Sequence, residues 1–277
     1  METIARLSAL SRIVVFICVL AFLWLPLALP IYWQLADNSN LASIITMAIL
    51  FVELLVLWQL WGKLIHQENN IIKSYGLVIS SPNFREFCQG LAFGFWLCLS
   101  LFITEAVCGW IKVVPSEGNL LRIALEGWLS ALGIALAEEL LFRGWLLDEL
   151  ERDYGYKTCI WATAIAFAVA HFLKPLSEII RTAVTFPALV LLGLALVGAK
   201  YKHGDRLGFS IGIHGGLVWC YYIVNVGQLI EYSQGIPPWI TGIDGNPLAG
   251  IMGLLFLSGL VWLIFTNKFS NRIKNNL

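Results

Sequence analysis

The chain has 277 residues, of which 58% are hydrophobic and 13% charged, and its formal net charge is zero. A soluble domain carries about a quarter charged residues, so this composition excludes an ordinary soluble globule and points to a polytopic protein in a lipid bilayer. Balanced charge leaves no electrostatic case for nucleic acid as a partner.

Arg6 and Arg12 open the chain ahead of a first apolar stretch over 11–31. Pro26 and Pro30 stand where a signal peptide would carry a small-x-small cleavage site, so a retained first helix is expected. Further stretches long enough to cross a bilayer follow at 41–61, 90–110, 121–147, 158–173, 179–199, 207–226 and 248–266. The fifth is the shortest. The connection 227–247 has no basic residue and is punctuated by Pro and Gly, as an extracytoplasmic turn region would be. No ten-residue alternating segments suggest a β-barrel. The expectation is an all-α polytopic membrane protein of about eight transmembrane helices, forming a single domain over 1–277. The six cysteines are scattered without a CxxC pair and are read as small core residues, neither a disulfide framework nor a zinc site.

Basic residues alternate between connections. Thirteen of the eighteen Lys and Arg fall in one set: Arg6 and Arg12; Lys63, Lys73 and Arg85; Arg152 and Lys157; Lys200, Lys202 and Arg206; Lys268, Arg272 and Lys274. The other set holds only Lys112, Arg122, Lys174 and Arg181, and Arg143 lies inside the fourth span. The positive-inside rule then puts both termini in the cytosol. Dropping one span would break the alternation.

Ionisable groups inside spans are expensive and mark candidate sites. The fourth span reads AEELLFRGWLL over 137–147. Glu139 and Arg143 are four residues apart on one helix face and can pair, while Glu138 is turned about 100° away. The pair alone could be a buried ion pair that fixes helix register. The second carboxylate remains unexplained and needs a proton, a metal or a histidine. The fifth span carries FAVAH, with Phe167 and His171 on one face; the plain alternative is a core histidine bonded to a carbonyl. The seventh carries GIHGG, with His214 among Gly212, Gly215 and Gly216, which suit either a close helix crossing or local unwinding that bares N–H groups.

Counted from the expected cytosolic ends, Glu138, His171 and His214 lie about 14, 20 and 10 Å deep at 1.5 Å per residue, within the middle layer of a roughly 30 Å hydrocarbon core. Three helices thus bring polar groups to one stratum. Glu53, Glu105 and Glu126 fit this layer less well and are left outside it.

A carboxylate in a dry cavity suits a general base. Glu138 with His171 could hold and deprotonate a water, and His214 could stabilise the oxyanion of a tetrahedral intermediate, which is the equipment for hydrolysing an amide. The same Glu138, His171 and His214 could instead bind a divalent metal such as zinc, although no HExxH helix occurs.

EELLFRG at 138–144, FAVAH at 167–171 and the histidine of GIHGG at 214 resemble, in order, the three signature motifs of the CAAX-protease and bacteriocin-processing (CPBP, or abortive-infection) family, which contains the type II CAAX prenyl endopeptidases. The resemblance covers about residues 120–226. It implies an intramembrane peptidase with a cavity open to the cytosol, acting on a peptide or membrane-protein substrate. Glu138 and His171 would activate water, Glu139 and Arg143 would support them, and His214 would serve the oxyanion; some members have been described as metal-dependent. The sequence departs from the pattern at Val218, where the family has Asn or Asp. Tyr222 or a backbone N–H near Gly215 is the expected substitute. Two further readings stand beside the enzyme: a membrane scaffold or immunity protein that keeps this fold without efficient hydrolysis, favoured by Val218, and a proton-coupled carrier, for which inverted repeats are lacking.

Overall fold

A computed structural model describes residues 2–266. Eight apolar helices run through it: α1 (Ala9–Gln34), α2 (Ser39–Trp61), α3 (Ser81–Val107), α4 (Leu120–Glu139), α5 (Tyr156–Ala170), α6 (Phe186–Lys202), α7 (Gly208–Val226) and α8 (Ile251–Thr266). With the turns that extend them, six are long and apolar enough to cross a membrane, whereas α5 and α8 are shorter. An all-α polytopic membrane fold is what the composition led one to expect. Among the described residues, one strand pairing occurs, a ribbon of β1 (Ile111–Val113) with β2 (Ile230–Tyr232).

Polar residues start these helices where the sequence turns apolar. The side chains of Ser8, Asn38, Ser80 and Asn119 accept from backbone N–H groups of the first turns of α1 to α4, which satisfies donors the helix itself cannot. Two boundaries differ from expectation. The fifth helix ends at Ala170, so His171 caps it and is not embedded in it. The sixth span is broken, with a turn of helix at Leu176–Thr182 and a 3-10 turn at Ala183–Thr185 before α6.

The connections fall into two groups at opposite ends of the bundle. At one end Arg12 of α1 bonds Glu149 (2.9 Å), Arg152 bonds Glu68 (2.8 Å), and the Leu207 N–H donates to the Gly76 carbonyl (3.0 Å). At the other end the ribbon joins the α3–α4 and α7–α8 connections, and Arg181 reaches Asp244 at 2.7 Å. These are the two sets into which the basic residues divide; Lys268, Arg272 and Lys274 lie outside the described residues.

The tightest helix pair is α3 against α7. A Cβ on Gly212 would collide with the Phe87 carbonyl and lie 2.6 Å from the Leu91 nitrogen, and one on Gly90 would lie 2.9 Å from the Ile213 nitrogen. Small residues four apart thus let two backbones touch. Gly212 and Gly216, on either side of His214, serve this crossing, Gly215 does not, and α7 runs unbroken through them. Of the cysteines, Cys98, Cys159 and Cys220 are buried, but Cys18, Cys88 and Cys108 are at the surface, not in the core.

Candidate active site

The helix that carries Glu138 and Glu139 does not end at α4. It continues through a π turn at Leu140–Leu146 and a last α-helical segment, Leu147–Glu151. Such widened turns often mark functional positions, and the sequence gives no local signal for this one. Glu139 and Arg143 straddle its start, both fully buried, with Arg143 Nη1 donating to Glu139 Oε1 at 2.8 Å.

Further partners hold this pair. His214 of α7 directs Nδ1 at the same Glu139 Oε1, 2.9 Å away. Arg143 Nη2 donates to the Gly193 carbonyl of α6 at 3.3 Å, and the guanidinium stacks 4.2 Å from the Phe167 ring centre, where a cation gains from the ring's negative face. Lys200 donates from Nζ to the Arg143 carbonyl at 2.6 Å. Read in the sequence as a basic residue of the connecting loops, Lys200 is 4% exposed.

Phe167 is fully buried between the motifs. Its ring centre is 4.6 Å from that of His171 and 6.0 Å from that of His214. His171 Nδ1 stands 2.8 Å from the Phe167 carbonyl. A carbonyl only accepts, so that nitrogen carries a proton, and in the neutral ring Nε2 is then the lone-pair nitrogen. The same logic applies to His214, whose Nδ1 faces a carboxylate. Both rings present Nε2 to one atom: Glu138 Oε2 is 3.9 Å from His171 Nε2 and 3.9 Å from His214 Nε2. These separations are too long for hydrogen bonds.

Glu138, Glu139, Arg143, His171 and His214 are therefore one cluster built from α4, α5 and α7. Glu139 and Arg143 neutralise each other, and Glu138 is the surplus acid. The polar atoms left unpaired mark the same place: Glu138 Oε2, Glu139 Oε2 and Arg143 Nε are buried without hydrogen-bond partners. Oε2 of Glu138 is shut off from solvent, while its side chain as a whole is 29% exposed. The acids set aside in the sequence stay apart. Glu126 pairs with Arg122 at 2.7 Å on the surface, and Glu105 is buried with both oxygens unpaired.

Among the described residues, no three His, Cys, Asp or Glu side chains are gathered as a metal-binding set. Tetrahedral zinc ligands at about 2.1 Å from the ion lie about 3.4 Å apart, closer than the 3.9 Å separations here. The trio does not fit a metal as it stands.

A cavity of about 370 Å³ reaches His171 and His214 and has Val218 and Tyr221 in its wall. Val218 and Tyr221 lie four and seven residues past His214, on its face of α7. The substitutes expected for the missing Asn or Asp are corrected here. Tyr222 faces away and packs on α4, where a Cβ at Gly127 would lie 2.5 Å from its ring. The Gly215 N–H lies within the continuous helix α7. Tyr221 is the hydroxyl on the cavity side, and counting seven residues along the helix would have found it. Lys174, Thr182, Asp244 and Asn246 also line it, and they belong to the end of the bundle that carries the β-ribbon.

Residues 120–220 match the family model described as Type II CAAX prenyl endopeptidase Rce1-like. The matched segment contains all five clustered side chains, and it bears out the resemblance to the CAAX-protease family carried by EELLFRG, FAVAH and His214. No curated protein and no solved structure matches the chain.

Proposed function

We propose that the chain is an intramembrane endopeptidase resembling the type II CAAX prenyl proteases, and that Glu138 and His171 activate the water that cleaves the peptide bond. The observation that carries this reading is the convergence of two imidazole nitrogens on one surplus carboxylate, from three helices, with both imidazoles in the wall of a cavity. A catalytic water needs a base beside it and a route for the substrate; the trio and the cavity supply both.

In this reading water loses a proton to the Glu138–His171 pair as its oxygen bonds to the scissile carbonyl carbon. The carbonyl electron pair moves onto oxygen. His214 can donate to that oxyanion through Nε2 only when its ring carries a second proton, because Nδ1–H is committed to Glu139; the Glu139 carboxylate offsets the resulting charge. Collapse of the intermediate breaks the C–N bond, and the proton held by the pair passes to the leaving amine. Glu139, Arg143 and Phe167 position the imidazoles without touching the substrate. The single-domain organisation, with its catalytic core at about 120–226, belongs to the same proposal.

The test is cleavage of an internally quenched peptide library by the purified chain. His171→Ala and His214→Ala are expected to keep their helical content and lose cleavage. A folded variant that turns over at the parent rate would overturn the assignment. Val218 favours a second reading, a scaffold of this fold without efficient hydrolysis, because valine has no proton to donate into the cavity. On that reading Glu138→Gln would restore a deletion phenotype as well as the parent chain does.

A further inference from the structure

We propose that Cys98 of α3 and Cys220 of α7 form a redox-modification site, a dithiol that small peroxides close to a disulfide, which shifts α7 and lowers turnover at the cluster around His214. The word turnover rests on the endopeptidase reading; the bond itself does not.

Position carries the proposal. The helices α3 and α7 run parallel, and their closest contacts recur every four residues. A Cβ on Gly90 would lie 3.1 Å from the Gly212 Cα, and one on Gly216 would lie 3.1 Å from the Gly94 carbonyl carbon. One step farther along both helices, at the same offset, stand Cys98 and Cys220. Both are buried, at 0% and 1% exposure, and their thiols are hydrogen-bonded to each other. Two backbones that touch one turn earlier hold facing Cα atoms within reach of the roughly 4.4–6.8 Å that a disulfide spans. The other four cysteines stand elsewhere. Cys18, Cys88 and Cys108 are at the surface, and Cys159 donates to the Tyr154 carbonyl at 3.4 Å.

The consequence follows from the two glycine steps, which are already closed. A sulfur–sulfur bond of about 2.05 Å is shorter than a hydrogen bond between thiols. Closing the third step therefore tilts α7 on the second. His214 and the cavity-wall residues Leu217, Val218 and Tyr221 move with that helix, and a misplacement of about 1 Å near the chemistry can cost about 10²-fold in rate.

The oxidant must be small and uncharged, because both sulfurs lie within an apolar cluster. Hydrogen peroxide meets that need, and Leu217 and Tyr221, which flank Cys220, line the cavity that would admit it. One thiol sulfur takes an oxygen as the peroxide O–O bond breaks, which gives a sulfenic acid and a water. The second sulfur then bonds to the first, the S–O bond breaks, and the departing oxygen leaves with the second thiol's proton as another water. Two thiols are oxidised to one disulfide, and one peroxide is reduced to two waters.

Exposed thiols react first, so the test uses the chain with Cys18, Cys88 and Cys108 changed to Ser. It is treated with hydrogen peroxide in detergent, alkylated with iodoacetamide and digested. Mass spectrometry is expected to find the Cys98 and Cys220 peptides joined, two hydrogens lighter than the separate pair. Cleavage of the quenched peptide library is expected to fall at least about 10-fold and to return with dithiothreitol. Cys220→Ala in the same background should give no joined peptide and cleave equally before and after peroxide. Cysteines that both remain open to alkylation overturn the proposal, and so does a joined pair that cleaves at the untreated rate. Joined peptides from a chain that cleaves nothing before treatment remove the peptidase reading and keep the redox site. Should the Ser variants fail to fold, the same mass measurement on the unaltered chain decides whether the bond forms.

Discussion

Glu139 and His214 are joined by a 2.9 Å hydrogen bond between α4 and α7, and the oxygen that accepts it also accepts from Arg143. One buried carboxylate oxygen therefore fixes a guanidinium on its own helix and an imidazole on another. This explains the adjacent glutamates. Glu139 is a positioning residue that holds His214 so that Nε2 faces Glu138, and Glu138 is left as the acid able to react.

Glu139→Ala is expected to be far more disruptive than Glu138→Ala. It leaves Arg143 buried without its counter-charge and frees His214, and breaking a buried pair from one side costs about 3–5 kcal/mol. Thermal unfolding in detergent is the measurement. Glu138 makes no hydrogen bond through Oε2, so its removal should move the melting temperature little. Equal losses in the two variants would contradict the division of roles.

Val218→Asn puts a hydrogen-bond donor back into the cavity wall, one helical turn from His214. A missing oxyanion donor costs about 10²–10³ in rate, so this variant is expected to raise kcat on the quenched peptides with less effect on KM. An unchanged kcat would show that the cavity already has its donor. The candidate is Tyr221, and Tyr221→Phe should then lower kcat.

Gly212→Ala inserts a methyl group where the backbone of α3 lies. The α3–α7 crossing must open, which moves His214 relative to Glu138. Loss of thermal stability together with loss of cleavage is expected. Gly215→Ala serves as the control, since its Cβ would have nothing nearer than 3.6 Å, and it should leave both unchanged.

Most of the fold and the five side chains of the candidate site were legible in the sequence, for a physical reason. Charge in a lipid-facing span is so costly that Glu138, Glu139, Arg143, His171 and His214 stand out against their neighbours, and helical spacing alone pairs Glu139 with Arg143. What was not legible depends on tertiary contacts. Nothing near Lys200 says that its amine is drawn into the core to the Arg143 carbonyl. The π turn is a local change of winding without a composition signal, and the end of α5 one residue before His171 lies within an apolar run. Tyr221 is within reach of helical counting, since seven residues from His214 is two turns on the same face, whereas Tyr222 is turned onto α4.

The most direct measurement of the central claim is the turnover of Glu138→Gln on the quenched peptide library, run beside the parent chain and with the fold of both confirmed by thermal unfolding. The substitution keeps the shape of the side chain and removes its ability to take a proton. A loss of about 10²–10⁴ in kcat, the usual worth of a general base, with an unchanged melting temperature is the expected result. Parent-level turnover by the folded variant would contradict it.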